Sequence, residues 1–143
     1  MATSPRAGLG ATIPALPVRD VPAAVAYYRD RFGFEARYED TGFAVLARDG
    51  AVLHLWGASD EEWRERDDLA ARPVCSGAES FLAGTASCRI DTKDVDALFN
   101  ELRSKDVLHP ANDSVTNTDF GTREFATVDL DGNLLTFYRW LDA

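Results

Sequence analysis

The chain is poor in cysteine, in long apolar runs and in positive charge, and each shortage narrows what it can be. Its two cysteines, Cys75 and Cys88, lie far apart and form no CxxC, so neither a disulfide framework nor a cysteine zinc site is expected. Both read as reduced thiols that fill space. No stretch approaches the roughly 20 consecutive apolar residues that span a bilayer. The segment Met1 to Thr12 lacks the apolar centre of a secretory signal, so the expected location is cytoplasmic, with no membrane partner. Fifteen Lys and Arg against 24 Asp and Glu leave a net charge of −9. That charge repels phosphate backbones and anionic lipid, which argues against nucleic acid. It would concentrate a cationic ligand, although an acidic surface also serves simple solubility.

What is present suits one compact domain. The 143 residues match the usual size for a single core, and 45% hydrophobic content spread along the chain fits a globular protein.

The chain also repeats itself. Arg19-Asp20-Val21-Pro22-Ala23-Ala24 recurs in pattern as Lys93-Asp94-Val95-Asp96-Ala97-Leu98. Asp20 and Asp94 suit helix N-caps, because a carboxylate accepts from unpaired amides and meets the positive end of the helix dipole. Val21, Val25, Tyr28 and Phe32 then follow at helical spacing, as do Val95, Leu98, Phe99 and Leu102. Gly33 suits the end of the first helix. Short apolar segments, Ile13 to Val18 and Ser87 to Ile90, precede the helices. Strand-like runs follow: Phe34 to Tyr38, Gly42 to Ala47 and Ala51 to Trp56, then Glu124 to Val128 and Leu134 to Trp140. Each half has an Asp-Gly turn, Asp49-Gly50 and Asp131-Gly132. Phe43 and Phe125 stand equally far before these glycines, and His54 and Thr136 equally far after.

The predicted fold is therefore α+β, with two tandem βαβββ units over about 12–58 and 85–140 in a single domain spanning 12–140. Residues 59–84 read as a linker, charged and helix-permissive through Ala71 and then broken by Pro73, Gly77 and Gly84. A short surface helix is expected there. Leu108 to Gly121, rich in Asn, Asp, Ser and Thr, reads as a loop able to flap over a site.

Leu16-Pro17-Val18-Arg19-Asp20, Tyr27-Tyr28-Arg29-Asp30-Arg31-Phe32-Gly33-Phe34, Arg123-Glu124-Phe125 and Asp129-Leu130-Asp131-Gly132-Asn133 together resemble the vicinal-oxygen-chelate superfamily. Within it they are most similar to the bleomycin resistance proteins. The resemblance runs from about Thr12 to Trp140. It implies paired units whose curved mixed sheets enclose a cleft, and a homodimer whose chains exchange elements to form one cleft at each subunit junction. It implies nothing unique about chemistry, since glyoxalases and extradiol dioxygenases share the fold. The linker carrying Trp63, and an extra residue in Phe120-Gly121-Thr122-Arg123, depart from the closest pattern in the resistance proteins.

In the catalytic members, side chains from four equivalent strand positions hold a divalent metal. Those positions fall near Ile13, His54, Ser87 and Thr136, and only His54 has a ligand's chemistry. A catalytic metal takes about three protein ligands, so neither metal nor cofactor is expected. His109 sits in the loop. Cys88 with His54 would be a thiol and a base, but packing is the expected role of a strand cysteine. Asp129 and Asp131 suit turn chemistry. No catalytic residue is assigned.

In the resistance proteins, matching positions give aromatic walls to a groove for a flat, cationic heteroaromatic drug. The candidates carried over are Tyr38, Phe43 and Phe120, then Trp56, with His54 and Arg123 completing the ligand-binding set. Phe125 is weighed as core rather than wall, and Asp40, Glu61 and Glu62 as contributors of negative charge. The resulting expectation is metal-independent binding and sequestration of a bleomycin-type glycopeptide. A metal-dependent superfamily enzyme, such as a glyoxalase-like lyase or dioxygenase, is the alternative from another class. A binding domain for another small metabolite is the third.

Overall fold

The structure is a computed structural model, described over residues 6–58, 67–68, 70–71 and 82–141. Its first unit runs β1 (Ala15–Val18), α1 (Val21–Tyr27), β2 (Glu35–Glu39), β3 (Phe43–Arg48) and β4 (Ala51–Gly57). Its second runs β5 (Ser87–Asp91), α2 (Val95–Leu102), β6 (Thr116–Asn117), β7 (Thr122–Val128) and β8 (Leu134–Trp140). Each unit makes one four-stranded sheet, ordered β1-β4-β3-β2 and β5-β8-β7-β6. The first strand of each pairs in parallel with the last, and the other pairs are antiparallel. The α+β duplication expected from the sequence is the architecture observed.

Local chemistry sets the helices. The carboxylates of Asp20 and Asp94 each accept from the amide three residues on, Ala23 and Ala97, both at 3.0 Å. Pro22 occupies the first turn of α1, where its missing N–H costs nothing. The chain then widens into a π-helical turn, Tyr28–Phe32, and stops at Gly33, whose φ of 76° is the left-handed conformation glycine adopts without strain.

Alternation decides which residues enter the core. Leu16 and Val18, Ala44 and Leu46, Leu53 and Leu55 point to the helix side of the first sheet and are buried. Phe125, Leu135 and Phe137 do so in the second. These residues form one cluster with Tyr28, Phe32, Val95 and Leu102, and the rings of Phe32 and Phe137 meet across the units at 6.2 Å. The helix-bearing faces of the two sheets thus share one core. Their opposite faces turn outward.

Polar clamps lock the units together. Tyr28 donates to the buried Asp129 carboxylate at 2.7 Å, and Asn133 Nδ2 donates to the Pro17 carbonyl at 2.8 Å. On the other side, Arg48 forks onto Glu101 at 2.8 and 2.9 Å while also donating to the Phe32 carbonyl.

Two expectations change. Part of the segment read as a loop before Gly121 is sheet edge: Leu108 bridges to Thr127, His109 N–H donates to Ala126, and β6 pairs with β7. Pairing satisfies backbone groups that would otherwise lie against the sheet unbonded. Strand β7 also begins at Thr122, ahead of Glu124. Most of the linker stretch in which a surface helix is expected falls outside the described residues, as do Cys75, Glu61, Glu62 and Trp63, while 67–68 and 70–71 form turn. No helix among the described residues is long and apolar enough to cross a membrane.

Candidate functional site

The outward face of the first sheet collects four of the six candidate residues. Register sets Phe43 opposite Trp56, with His54 two residues before Trp56 on the same face of β4 and Tyr38 on β2. The rings touch in sequence: Tyr38 to Phe43 at 5.9 Å, Phe43 to His54 edge-on at 5.0 Å, and Phe43 to Trp56 at 4.6 Å. Tyr38 is 52% exposed and the other three are half-buried, so ring surface remains open to a ligand. The His54 ring is fixed by Phe43 rather than by a hydrogen bond, since none to its ring is found among the described residues.

A carboxylate stands at the end of this strip. Tyr38 donates to Asp40 Oδ2 at 2.7 Å, and the Gly42 amide donates to Oδ1 at 2.9 Å. Tyr38 first, and the Gly42 amide second, hold the Asp40 carboxyl below its usual range. Rings beside a fixed negative charge are suited to a flat cation, which gains from the ring faces as well as from the charge.

Phe120 belongs to a different surface. It rides on the turn before β7, is 64% exposed, and lies over Arg89 at 5.5 Å on the outward face of the second sheet. The same face holds Glu124, Tyr138 and Trp140, with Tyr138 and Trp140 edge-on at 5.9 Å. Sequence reasoning passed over Arg89, Glu124, Tyr138 and Trp140. Their signal was the period of two running outward from Thr136 along β8 and to its partners.

Arg123 joins neither group. It shares the helix-side parity of Phe125, forks onto Asp96 of α2 at 2.8 and 2.9 Å, and donates to Asn117. Its side chain is thus held between sheet and helix, apart from the Tyr38–Trp56 strip. Phe125 is buried at 1% exposure, stacked on Phe137 and edge-on to Phe99.

The donors do not fit a metal centre. Register places Ala15 beside His54 and Arg89 beside Thr136, while Ile13 lies ahead of β1 and Ser87 opens β5. An alanine beside the histidine on one sheet, and a threonine and a guanidinium cation at the matching positions of the other, are not a divalent ligand set. Among the described residues no three His, Cys, Asp or Glu side chains converge. Nor can Cys88 and His54 work as a thiol and base. Cys88 packs on the core side of the second sheet, where burial pushes its thiol up to about 11. His109 Nδ1 accepts from the Ala111 amide, a turn contact. A cavity of about 490 Å³ opens in the seam between the units, floored by Phe34, Leu53, Ile90 and Phe137, and it holds none of the six candidates.

The family model described as Glyoxalase/Bleomycin resistance protein/Dioxygenase superfamily matches residues 11–137. A bleomycin resistance protein of Geobacillus stearothermophilus is 44% identical over 128 residues, 90% of this chain and 95% of that protein. One from Staphylococcus aureus matches to the same extent. Among solved structures, the bleomycin-binding protein of the producer Streptomyces verticillus, complexed with copper(II)-bleomycin, has a TM-score of 0.68 at 26% identity. That match covers 92% of this chain and 97% of the other.

Proposed function

The chain belongs to the Glyoxalase/Bleomycin resistance protein/Dioxygenase superfamily, and on that premise we propose that it binds and sequesters a bleomycin-type glycopeptide antibiotic, without catalysis and without a metal of its own. The observation that carries this reading is the continuous strip Tyr38, Phe43, His54 and Trp56, open on its outer side and ended by the Asp40 carboxylate. Each well-placed ring contributes about 0.5–1.5 kcal/mol of stacking beyond area burial, so a few rings hold a flat drug tightly. The net charge of −9 favours approach of a cation. The names of the curated relatives and the drug-bound solved relative support the same ligand class.

The active form in this reading is a homodimer acting through one domain over 12–140, with elements exchanged between its chains. Exposed rings on both outward faces, Tyr38 on one and Phe120 and Trp140 on the other, support a second copy closing each face into a cleft. Among the described residues His54 has no second or third ligand beside it, which supports metal independence. The test is a titration of the intact chain with metal-free and copper-loaded bleomycin, following Trp fluorescence and recovering the drug afterwards. Saturable binding with the drug returned unchanged is the expected result. Absence of any response at high micromolar drug refutes the reading, and stoichiometric metal in protein purified without chelator refutes its metal-free part.

A further inference from the structure

The second sheet's outward face carries a built assembly that stacking alone does not explain. Arg89 Nη2 donates to Glu124 Oε1 at 2.6 Å, and Nη1 reaches Oε2 at 3.5 Å. The guanidinium carbon lies 4.9 Å from the Tyr138 ring and 5.5 Å from the Phe120 ring. Glu124 is itself held, since Thr122 Oγ1 donates to Oε1 at 2.7 Å. The hydroxyls of Thr118 and Thr122 meet at 2.8 Å, which pins the turn that bears Phe120. Glu124 is 17% exposed in its side chain and Arg89 44% exposed. An arginine on an open face, long and flexible by nature, is here fixed in one orientation.

A guanidinium has five N–H groups in a rigid planar fork. Glu124 accepts from the two terminal nitrogens, and no protein acceptor for the others is found among the described residues. What remains is a donor edge already oriented and already neutralised. A cationic ligand group would meet the arginine, and an anionic one would meet Glu124 beside it. A neutral planar acceptor, a carbonyl oxygen, avoids both penalties, and the side chain loses little freedom in binding it.

We propose that Arg89 is a specificity-determining residue of the ligand site, donating from this free edge to an amide or carbamoyl carbonyl oxygen of the ligand. The inference rests on the ligand-binding reading above, and a glycopeptide supplies such oxygens. An apolar flat molecule would cover the same N–H groups without pairing them, which selects against it. The first sheet then grips rings and positive charge, and the second reads the peptide part.

The experiment is a bleomycin titration of the wild-type chain, of Arg89→Met, which keeps the length and the packing against both rings, and of Arg89→Lys. A double variant, Arg89→Met with Glu124→Gln, removes the carboxylate's unpaired charge. Loss of a charge-assisted hydrogen bond weakens binding by about 10- to 100-fold in both Met variants, with melting temperature unchanged in the double variant. Lysine, a point charge without the fork, restores only part. In the wild type the Arg89 Nε–H resonance shifts and gains exchange protection on saturation with drug. Wild-type binding with undiminished or tighter affinity in the Met variants overturns the inference and leaves the binding function standing. So does weakened binding with an unmoved Nε–H signal, which would mean that Arg89 acts only by holding Phe120. Failure of the wild type to bind refutes the underlying function instead.

Discussion

The Tyr28 hydroxyl donates to Asp129 Oδ2 at 2.7 Å in the buried interior, tying the first unit's helix to the second unit's hairpin loop. Asp129 Oδ1 also accepts from the amides of Asp131 and Asn133, each at 2.9 Å, so one carboxylate both shapes the loop and joins the units. Tyr28→Phe removes one hydrogen bond to a charged group and is expected to lose about 1.5–3 kcal/mol of stability. Asp129→Ala strands several buried donors and is expected to lose about 3–5 kcal/mol. Urea denaturation of both variants checks the order. Equal losses would show that Asp129's loop contacts contribute nothing.

Asp131 gives a pH dependence of a definite sign. Burial, and secondarily the Asp129 charge, raises its carboxyl above the ordinary Asp range, against the Arg19 amide that donates to Oδ1 at 3.0 Å. Its Oδ2 is buried without a partner among the described residues. The native state therefore holds this proton more tightly than the unfolded chain, and this residue's contribution to stability falls as pH rises from about 4 through the raised native value. Asp131→Asn keeps an acceptor for Arg19 and removes the titration. Its stability relative to wild type should improve as pH climbs through that window in urea melts. A constant difference across the window would contradict the assignment.

Cys88 should be inert in the native protein. With its thiol pushed up to about 11 by burial, and secondarily by Asp129, the thiolate is scarce at neutral pH. In a Cys75→Ser background, iodoacetamide alkylation should be slow at pH 8 and still accelerating past pH 9. Unfolding in urea should make it fast. Rapid native alkylation at pH 8 would reopen a nucleophilic role for Cys88.

Arg123→Ala tests whether a residue held on the helix side contributes to the candidate site. Its partners are Asp96 and Asn117 on the helix side. The substitution should leave bleomycin affinity unchanged, with at most a small fall in melting temperature, because an exposed ion pair contributes little. A large loss of affinity with an intact melting curve would place Arg123 in the site.

The duplication was legible because its signals are local. A capping aspartate, a helical period and an Asp-Gly turn each act within a few residues, and together they give the order of both units. Three rings and His54 were legible on the first sheet for a similar reason. The Asp49-Gly50 turn closes directly on the Arg48–Ala51 pair, so counting from it keeps the register. The second hairpin closes instead on Val128 and Leu134 around the longer connection 129–133. That shift turns β7 over by one residue. Phe125, equivalent to Phe43 by counting, faces the core, and Glu124 takes the outward position opposite Tyr138. Arg123 moved to the helix side with Phe125. The Arg89–Glu124 pair was illegible because it forms across β5 and β7, strands that do not neighbour each other in the sheet. No spacing within one segment encodes it.

The central assignment is tested most directly by calorimetric titration of wild type, Phe43→Ala and Trp56→Ala with metal-free and copper-loaded bleomycin. Saturable wild-type binding of both drug forms is expected, with affinity reduced at least about tenfold in each variant and the fold unchanged. No binding heat at high micromolar drug, or equal affinity in all three proteins, would contradict it.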